Sequence, residues 1–353
     1  MKKIAIIITD ITLRNGTERA VSNLANILSN KYDVSILSVG TEVGTPAYFL
    51  SSSVKVVHKK IFSCSKKSFW GRLSDKFVFI KFINSLDFDI FISSAPIYSF
   101  LLSFSSVPKI VGCEHFNYEA VPFRTKLLRR LFYPFLDAIV LLTQDAWKKF
   151  SFIKEKQRHV IPNNSPYPVC RNFYSAESKI LLTVGRLTYQ KGFDMLIDAA
   201  KIIFEKKSDW KLIIVGDGED KEQLLLQIRD NQLEEFISIL PPVQDVTRYY
   251  EAAGLYVMSS RFEGFGLVLI EAQSFGIPCV SFDCSSGPSE IIDDNFTGYL
   301  VAPNNVEELA EKLLILMDDK DKRKLFSQNA LEKAKRFSFE AVSAKWFELL
   351  EKI

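Results

Sequence analysis

Short apolar runs alternate with amphipathic segments along most of this chain of 353 residues. Continuous apolar runs predict buried strands at residues 4–8, 34–39, 89–92, 109–112 and 138–142. Residues 18–30, between the first two runs, predict an amphipathic helix. A second series predicts strands at 180–184, 212–215, 237–240, 255–258 and 278–282. Helices are expected there at 194–206, 221–231, 246–253, 267–275 and 307–317. Apolar strands that alternate with helices favour parallel sheets.

The two series are separated by residues 160–178, which are rich in proline and asparagine and have no clear period. We therefore expect an α/β fold of two Rossmann-like domains, with parallel sheets facing each other across a cleft. The predicted boundaries are 1–165 for the first domain, 166–178 for a linker and 179–336 for the second domain. Residues 337–353 predict a final helix.

Composition and charge narrow the class of protein. A hydrophobic fraction of 47% and a charged fraction of 25% are typical of globular proteins. Residues 1–172 hold 24 Lys+Arg against 12 Asp+Glu, a net of +12, whereas residues 173–353 hold 21 against 30, a net of −9. The basic half favours contact with an anionic surface. No apolar run approaches ~18 residues, so we expect no membrane-spanning helix.

The cysteines and histidines predict no metal site. Five cysteines form no CxxC pair, and three histidines are scattered, so zinc-ligand spacing is absent from the sequence. An odd, unpatterned cysteine count fits a reducing cytoplasm. The apolar run at residues 4–8 is too short for a signal peptide and is better explained as a strand.

The motif around which the chain is organised lies at residues 261–271. An apolar strand leads into a loop with Glu263, Gly264 and Gly266, and a predicted helix then carries Glu271. Glycines let backbone amides approach a ligand, and a helix N-terminus favours an anion. Carboxylates accept hydrogen bonds from sugar hydroxyls. This motif predicts a site for a phosphate flanked by hydroxyl-rich groups, although an ordinary strand-to-helix turn could use the same glycines.

Three other strand-end loops carry candidate chemistry. Arg186 and Lys191, bracketed by glycines, could clamp a diphosphate, although their spacing is not that of a P-loop and a solvated charged loop is the alternative. Gly16, at a helix start, could let the backbone approach a charge. His115 follows Glu114 at a strand end and could bond a sugar hydroxyl, although a lone histidine more often has a structural role.

These motifs together resemble the family-4, retaining glycosyltransferases of the GT-B fold, over nearly the whole chain. The resemblance is carried by Gly16 with Glu18 and Arg19, Glu114 with His115, Gly185-Arg186 with Lys191-Gly192, Gly216-Asp217-Gly218, Glu263 with Glu271, residues 287–292 and residues 298–301. It implies that the first domain faces the acceptor, that the second binds the nucleotide-sugar donor and that the last helix returns to the first domain.

The resemblance also implies a role for each residue. Arg186 and Lys191 would bind the donor diphosphate and stabilise the leaving group. Glu263 with Gly264, Phe265 and Gly266 would hold the donor sugar, and His115 would contact that sugar near the reaction centre. The remaining donor-binding residues would be Gly16 beneath the diphosphate, Leu267 and Val268 through their amides, Glu271 at the ribose and Val243 near the base.

In this family no metal or other cofactor is needed, because cations and helix dipoles stabilise the diphosphate. Transfer would proceed with retention. One departure is Asn15 before Gly16, where the family often has two glycines; asparagine tolerates unusual backbone angles.

The subgroup it resembles builds bacterial O-antigen, capsule and lipid-linked oligosaccharides on undecaprenyl diphosphate, which implies a lipid-linked saccharide acceptor. We expect UDP rather than GDP, and a peripheral position on the cytoplasmic face of the plasma membrane. Basic and aromatic residues interleave at a predicted membrane or acceptor face: Lys59, Lys60, Lys66, Lys67, Trp70, Arg124, Arg129 and Arg130. Ordinary helices with solvated charges would give the same pattern.

Three other functions fit the sequence less well. Nucleic acid is a weaker partner, since the second half is acidic and carries no nucleic-acid motif. A sugar-nucleotide epimerase of the same fold would leave the basic aromatic face unexplained. A non-catalytic carbohydrate- or lipid-binding protein would not need Arg186, Lys191, Glu263 and Glu271 together.

Overall fold

The computed structural model describes residues 1–62, 69–169, 174–243 and 245–353, with side chains given from residue 73 onward in the segment that starts at 69. The chain forms two units, one made of Met1–Asn164 with Phe339–Ile353 and the other of Ser165–Ser338. The described residues of the segment predicted as a linker, 166–169 and 174–178, are thus part of the second unit.

The first unit has a seven-stranded parallel sheet in the order β3-β2-β1-β4-β5-β6-β7. Its strands are β1 Lys3–Ile8, β2 Asp33–Ser38, β3 Lys55–His58, β4 Ile90–Ser93, β5 Ile110–Glu114, β6 Ala138–Leu141 and β7 Arg158–Val160. The helices that follow them in chain order are α1 Gly16–Leu28, α2 Phe69–Asn84, α3 Pro96–Leu102, α4 Phe123–Phe132 and α5 Gln144–Lys149.

Both faces of this sheet are covered, which is why the central strand β1 is apolar at every position from Ile4 to Ile8. In β1, Ile4, Ile6 and Ile8 pack into the cluster beneath α1, whereas Ala5 and Ile7 pack into a second cluster on the opposite face. Successive strand side chains point to opposite faces, so a strand buried on both sides loses the apolar–polar alternation.

The second unit has a six-stranded parallel sheet in the order β10-β9-β8-β11-β12-β13. Its strands are β8 Ile180–Val184, β9 Lys211–Val215, β10 Ile237–Leu240, β11 Leu255–Met258, β12 Cys279–Phe282 and β13 Gly298–Val301. Its helices are α6 Phe193–Phe204, α7 Lys221–Asp230, α8 Thr247–Ala252, α9 Leu267–Ser274, α10 Pro288–Ile291, α11 Val306–Asp318 and α12 Lys320–Ala334.

The final helix, α13 Phe339–Lys352, belongs to the first unit. Val342, Trp346, Leu349 and Leu350 lie in the same buried cluster as α1 and β1. The Lys2 ammonium also donates to the carbonyl of Leu350 at 2.8 Å. This helix therefore completes a core whose other members come from the first 164 residues of the chain.

The predicted α/β fold with two parallel sheets is confirmed. No range was predicted for strands β3 and β7 or for helices α2 to α5, α10 and α12. β3 is an edge strand with partly exposed positions, so it lacks a continuous apolar run. In the described part of the chain, no helix has both the length and the hydrophobicity needed to cross a membrane.

Candidate active site

The second sheet reverses its direction of winding between β8 and β11, which are neighbours although far apart in sequence. After these two strands the chain continues toward opposite faces of the sheet, which opens a crevice beyond the carboxyl ends of the strands. Ligands bind in such crevices in open parallel sheets. The loops that leave these strands are residues 185–192 and 259–266. These loops contain two of the motifs singled out in the sequence.

The loop after β8 is shaped by Gly192. This residue has φ +62°, and a Cβ there would lie 2.2 Å from the carbonyl oxygen of Ser259, so the position requires glycine. A single 3-10 turn, Tyr189–Lys191, precedes it. Arg186 has an exposed side chain on the same loop. The turn thus holds Lys191 against the neighbouring loop and leaves Arg186 open to solvent.

Arg261 fastens the two loops together. Its guanidinium donates to both carboxylate oxygens of Asp194, at 2.8 and 2.5 Å, and to the carbonyl of Tyr189 at 2.8 Å. It also lies 4.1 Å from the Tyr189 ring centroid, and its backbone N–H donates to Gln190. Burial opposes ionisation of Asp194, but the hydrogen bonds and charge of Arg261 outweigh it and lower the pKa of that carboxyl. Sequence reasoning missed this residue.

Lys191 and Glu263, both predicted donor-site residues, meet in an ion pair. The ammonium lies 2.6 Å from Oε1 of Glu263, and Ser260 donates to the same oxygen at 2.7 Å. The side chains are 18% and 9% exposed, so the charges are held in place at the edge of solvent. Such a fixed cation can stabilise negative charge that develops next to it, and the carboxylate can accept bonds from hydroxyl groups.

Helix α9 begins directly after this carboxylate. Gly266 caps it with φ +97°, and the amides of Leu267 and Val268 form its first turn. Helix geometry supplies no intrahelical acceptor for those amides, so they can face an anion. Gly287 supports the loop, because a Cβ there would lie 2.0 Å from the carbonyl oxygen of Phe265. Gly264 lies in the same loop and is partly exposed.

Glu271 lies one turn into α9 and is fully buried. It accepts a hydrogen bond from the Tyr250 hydroxyl at 2.8 Å, and the Tyr250 ring stacks on Phe275 with centroids 5.3 Å apart. This partner was not predicted from the sequence, since Tyr250 lies on α8, 21 residues away. Val243 is half-buried in the loop that follows β10.

The predicted site residues of the first unit lie at the carboxyl ends of its strands. Gly16 is exposed at the start of α1. His115 follows β5 and lines a small cavity together with Cys113, Asn163, Asn164 and Trp346. Burial lowers the pKa of His115 to about 4, so the imidazole is neutral at physiological pH. It could donate or accept a hydrogen bond but would carry no charge.

The predicted basic face requires one correction. Arg129 is fully buried and forms an ion pair with Glu114, which also accepts a bond from Tyr133. Its placement on a surface was wrong, because the helix turns this one cation inward against a buried carboxylate. Arg124 and Arg130 on the same helix are exposed. Lys59 and Lys60 are exposed too, whereas Lys66, Lys67 and the side chain of Trp70 lie outside the described residues.

Metal-ligating side chains do not cluster in the described parts of either unit: no group of three or more His, Cys, Asp or Glu is placed to hold an ion. Cys284 lies near the ion pair of Lys191 and Glu263, and burial together with the Glu263 charge raises the pKa of its thiol to about 12. This thiol therefore stays protonated and acts as a small apolar group.

Comparison with known proteins identifies the family. Residues 172–333 match the model of the glycosyl transferases group 1 family. The amylovoran biosynthesis glycosyltransferase AmsD of Erwinia amylovora is 33% identical over 364 residues, which cover 99% of this chain and 100% of the relative. A second relative is an alpha-1,4-N-acetyl-D-galactosaminyltransferase of Campylobacter jejuni, whose name specifies a PP-undecaprenol-linked saccharide. It is 28% identical, and the alignment covers 100% of this chain and 99% of the relative.

Solved structures agree on the fold. TarM has a TM-score of 0.84 at 16% identity, covering 99% of this chain and 98% of its own. HepE of Anabaena, in complex with UDP-glucose, has a TM-score of 0.80 at 19% identity, with 100% of both chains covered. The family match and the curated relatives do not favour an epimerase of the same fold. The chain therefore belongs to the group 1 glycosyltransferases of the GT-B, family-4 type, and is a glycosyltransferase of bacterial polysaccharide synthesis.

Proposed function

We propose that this glycosyltransferase takes its sugar from a UDP-sugar whose diphosphate lies at the reversal point of the second sheet. The proposal rests on the Lys191–Glu263 ion pair, together with the exposed Arg186 on the same loop as Lys191. Two cations and the start of α9 suit a diphosphate, and a carboxylate suits the hydroxyls of the sugar attached to it. The complex of HepE with UDP-glucose supports the choice of donor.

In this proposal the reaction is driven by stabilisation of the leaving diphosphate. The bond from the sugar C1 to the diphosphate oxygen breaks while a bond from C1 to the acceptor oxygen forms. The acceptor hydroxyl proton passes to the departing diphosphate, which makes attack on the same face possible and retains the configuration. Arg186, Lys191 and the amides of Leu267 and Val268 would meet the charge that develops.

The ion pair with Glu263 also orients Lys191 in this scheme. Glu263 holds its ammonium in the ion pair, so the cation would have a fixed orientation toward the diphosphate. Preorganised charges cost no reorganisation during the reaction, which is why they accelerate it. We propose on the same grounds that no metal is required, since two side-chain cations and a helix terminus supply the positive charge.

The other predicted residues would supply the remaining donor and acceptor contacts. Glu271 would bind the ribose hydroxyls with Tyr250 fixing its carboxylate, and Val243 would lie near the base. Gly16 and His115 would contribute from the first unit, with His115 contacting the donor sugar as a neutral imidazole. The sugar would be a hexose or N-acetylhexosamine. The acceptor would be a saccharide on undecaprenyl diphosphate, as the name of the Campylobacter relative suggests, met at the inner face of the plasma membrane.

Calorimetric titration with UDP and GDP tests the donor site. Arg186→Ala should weaken UDP binding by about tenfold or more, because a charge-assisted hydrogen bond contributes about 1.5–3 kcal/mol. The side chain is exposed, so its removal should leave the fold intact. Lys206→Ala is the matched control: Lys206 is an exposed cation that follows α6, at the opposite end of the sheet, and its loss should change nothing.

Turnover tests the catalytic role. Lys191→Ala should lower kcat with a UDP-sugar by about a hundredfold, since loss of one preorganised partner costs about 3 kcal/mol. Equal turnover in Lys191→Ala and the wild type would remove the role given to this cation. Binding of GDP instead of UDP would change the donor class, whereas binding of neither would favour a non-catalytic protein or one that binds its acceptor first.

A further inference from the structure

Helix α4 presents a row of large apolar side chains to solvent. Phe123, Leu127 and Leu131 are 78%, 45% and 53% exposed, and each is four residues from the next, which places them on one face of the helix. Phe135, 71% exposed, follows on the 3-10 turn Tyr133–Phe135. We call these four residues the α4 apolar row.

The opposite side of α4 is anchored in the first unit. Arg129 forms its buried ion pair with Glu114, and the Phe132 ring packs against the rings of Phe100 and Phe104 on α3 and just beyond it, at centroid distances of 4.6 and 5.3 Å. The helix is therefore fixed with its apolar row outward. Phe104, just beyond α3, is itself 54% exposed. Single exposed apolar residues need no explanation, but a continuous row indicates an interaction site.

Cations outnumber acidic side chains around the row. Residues 120–136 contain Arg124, Lys126, Arg129 and Arg130 and no acidic residue. Arg124 and Arg130 are exposed, and Lys126 is paired with Glu119 at 2.9 Å. Arg130 lies 5.7 Å from the ring centroid of Phe152, which holds its charge beside the helix. An apolar stripe bordered by cations matches a membrane interface with anionic headgroups.

We infer that α4 docks on an anionic lipid surface, with the α4 apolar row entering the acyl boundary and Arg124 and Arg130 contacting lipid phosphates. The inference deepens the proposed function, on which it rests for its biological meaning, since it names the surface at which a lipid-linked acceptor would be met. Binding to lipid can be measured without donor or acceptor. The apolar row, rather than the lysines that follow β3, then supplies most of the affinity.

Flotation with vesicles of phosphatidylcholine alone, or mixed with phosphatidylglycerol, tests this surface. The triple variant Phe123→Ser/Leu127→Ser/Leu131→Ser should lose at least about tenfold in partitioning to the mixed vesicles. Its control is Leu225→Ser/Leu226→Ser/Leu325→Ser, three exposed leucines of the second unit, which should partition like the wild type. Arg124→Gln/Arg130→Gln should bind less to the anionic vesicles and lose the salt dependence that those two charges confer.

Insertion of the α4 apolar row into the bilayer can be measured separately by tryptophan fluorescence. Tryptophan introduced as Phe123→Trp should be quenched by lipids brominated on their acyl chains, whereas Leu225→Trp should not. Equal partitioning of the triple variant and the wild type would overturn the inference. So would a wild-type dimer that the triple variant converts to monomer without any change in vesicle binding, because the row would then join two copies. UDP titration of the triple variant separates the lipid-binding surface from the proposed donor site. Retained UDP binding with lost vesicle binding supports the α4 surface, whether or not a UDP-sugar is turned over.

Discussion

The ion pair between Arg261 and Asp194 should set the geometry of the loop at residues 185–192. Arg261→Ala removes two hydrogen bonds to the Asp194 carboxylate and one to the Tyr189 carbonyl, together with the contact on the Tyr189 ring. Both loops at the reversal point lose that connection, although Gln190, Ser259 and Lys191 keep others. The substitution therefore loosens the loop without unfolding the unit.

The magnitude follows from the exposure of the pair. A fully buried charge-assisted hydrogen bond contributes about 1.5–3 kcal/mol. Here the arginine side chain is 17% exposed and the aspartate 41% exposed, so solvent screens part of that energy. We estimate about 2 kcal/mol for opening of residues 185–192, which corresponds to roughly thirtyfold faster local exchange of amide hydrogens. UDP affinity should fall by about tenfold, because Lys191 is then less well placed.

Amide hydrogen exchange is the direct assay, since it reports local opening. The N–H groups of Lys191, Gly192 and Arg261 donate to Thr188, Tyr189 and Gln190, so their exchange should speed up together. Asp194→Ala should have a similar effect, and the double variant should add little, which a double-mutant cycle would show as coupling of about 1–2 kcal/mol. The control is Lys179→Ala, which breaks an exposed ion pair with Asp209 in the same unit. Unchanged exchange and unchanged UDP binding in Arg261→Ala would refute the argument.

Two further predictions concern the first unit. His115 keeps a pKa of about 4 in the folded protein against about 6.5 when unfolded, so the unfolded chain binds more protons between these values and stability rises with pH across that window. His115→Gln should reduce the rise in stability between pH 4 and pH 6.5 by about 2 kcal/mol, measured as a smaller change in Tm. The lowered pKa of His159 contributes equally to wild type and variant, so it cancels in the difference between them. Parallel curves of Tm against pH for the two proteins would contradict the prediction. Arg129→Met should cost about 3–5 kcal/mol of stability because the buried Glu114 loses its cationic partner and keeps only the bond from Tyr133. The double variant Glu114→Gln/Arg129→Met should recover most of that stability in thermal unfolding. Equal losses in the single and double variants would mean that the charge of Glu114 is not the cause.

The loops at the strand ends could be predicted from sequence because their signals are local. Glycine, a cation and a carboxylate at the end of an apolar run predict a ligand loop wherever the sheet is parallel, and Lys191 and Glu263 do meet. Their mutual ion pair could not be predicted, since it joins residues 72 positions apart. Arg261 and Tyr250 were missed for the same reason: their partners are brought close only by the fold.

Arg129 shows the limit of a helical pattern. Four cations fall among apolar residues between positions 123 and 132, and the sequence does not say which one points inward. The structure turns Arg129 inward because Glu114, at the end of β5, is buried there and accepts its bond. Strand β3 is the converse case, because an edge strand needs no continuous apolar run to pair with its single neighbour.

The position of α13 has a consequence for the order of folding during synthesis. Its buried side chains, with Trp346 among them, complete the core around β1, yet the ribosome makes this helix after the entire second unit. The 174 residues Ser165–Ser338 take roughly 10 to 35 seconds to translate at ordinary rates. Through that interval the first unit has its sheet but lacks one covering helix, so it presents an apolar face to the cell while the second unit can already fold.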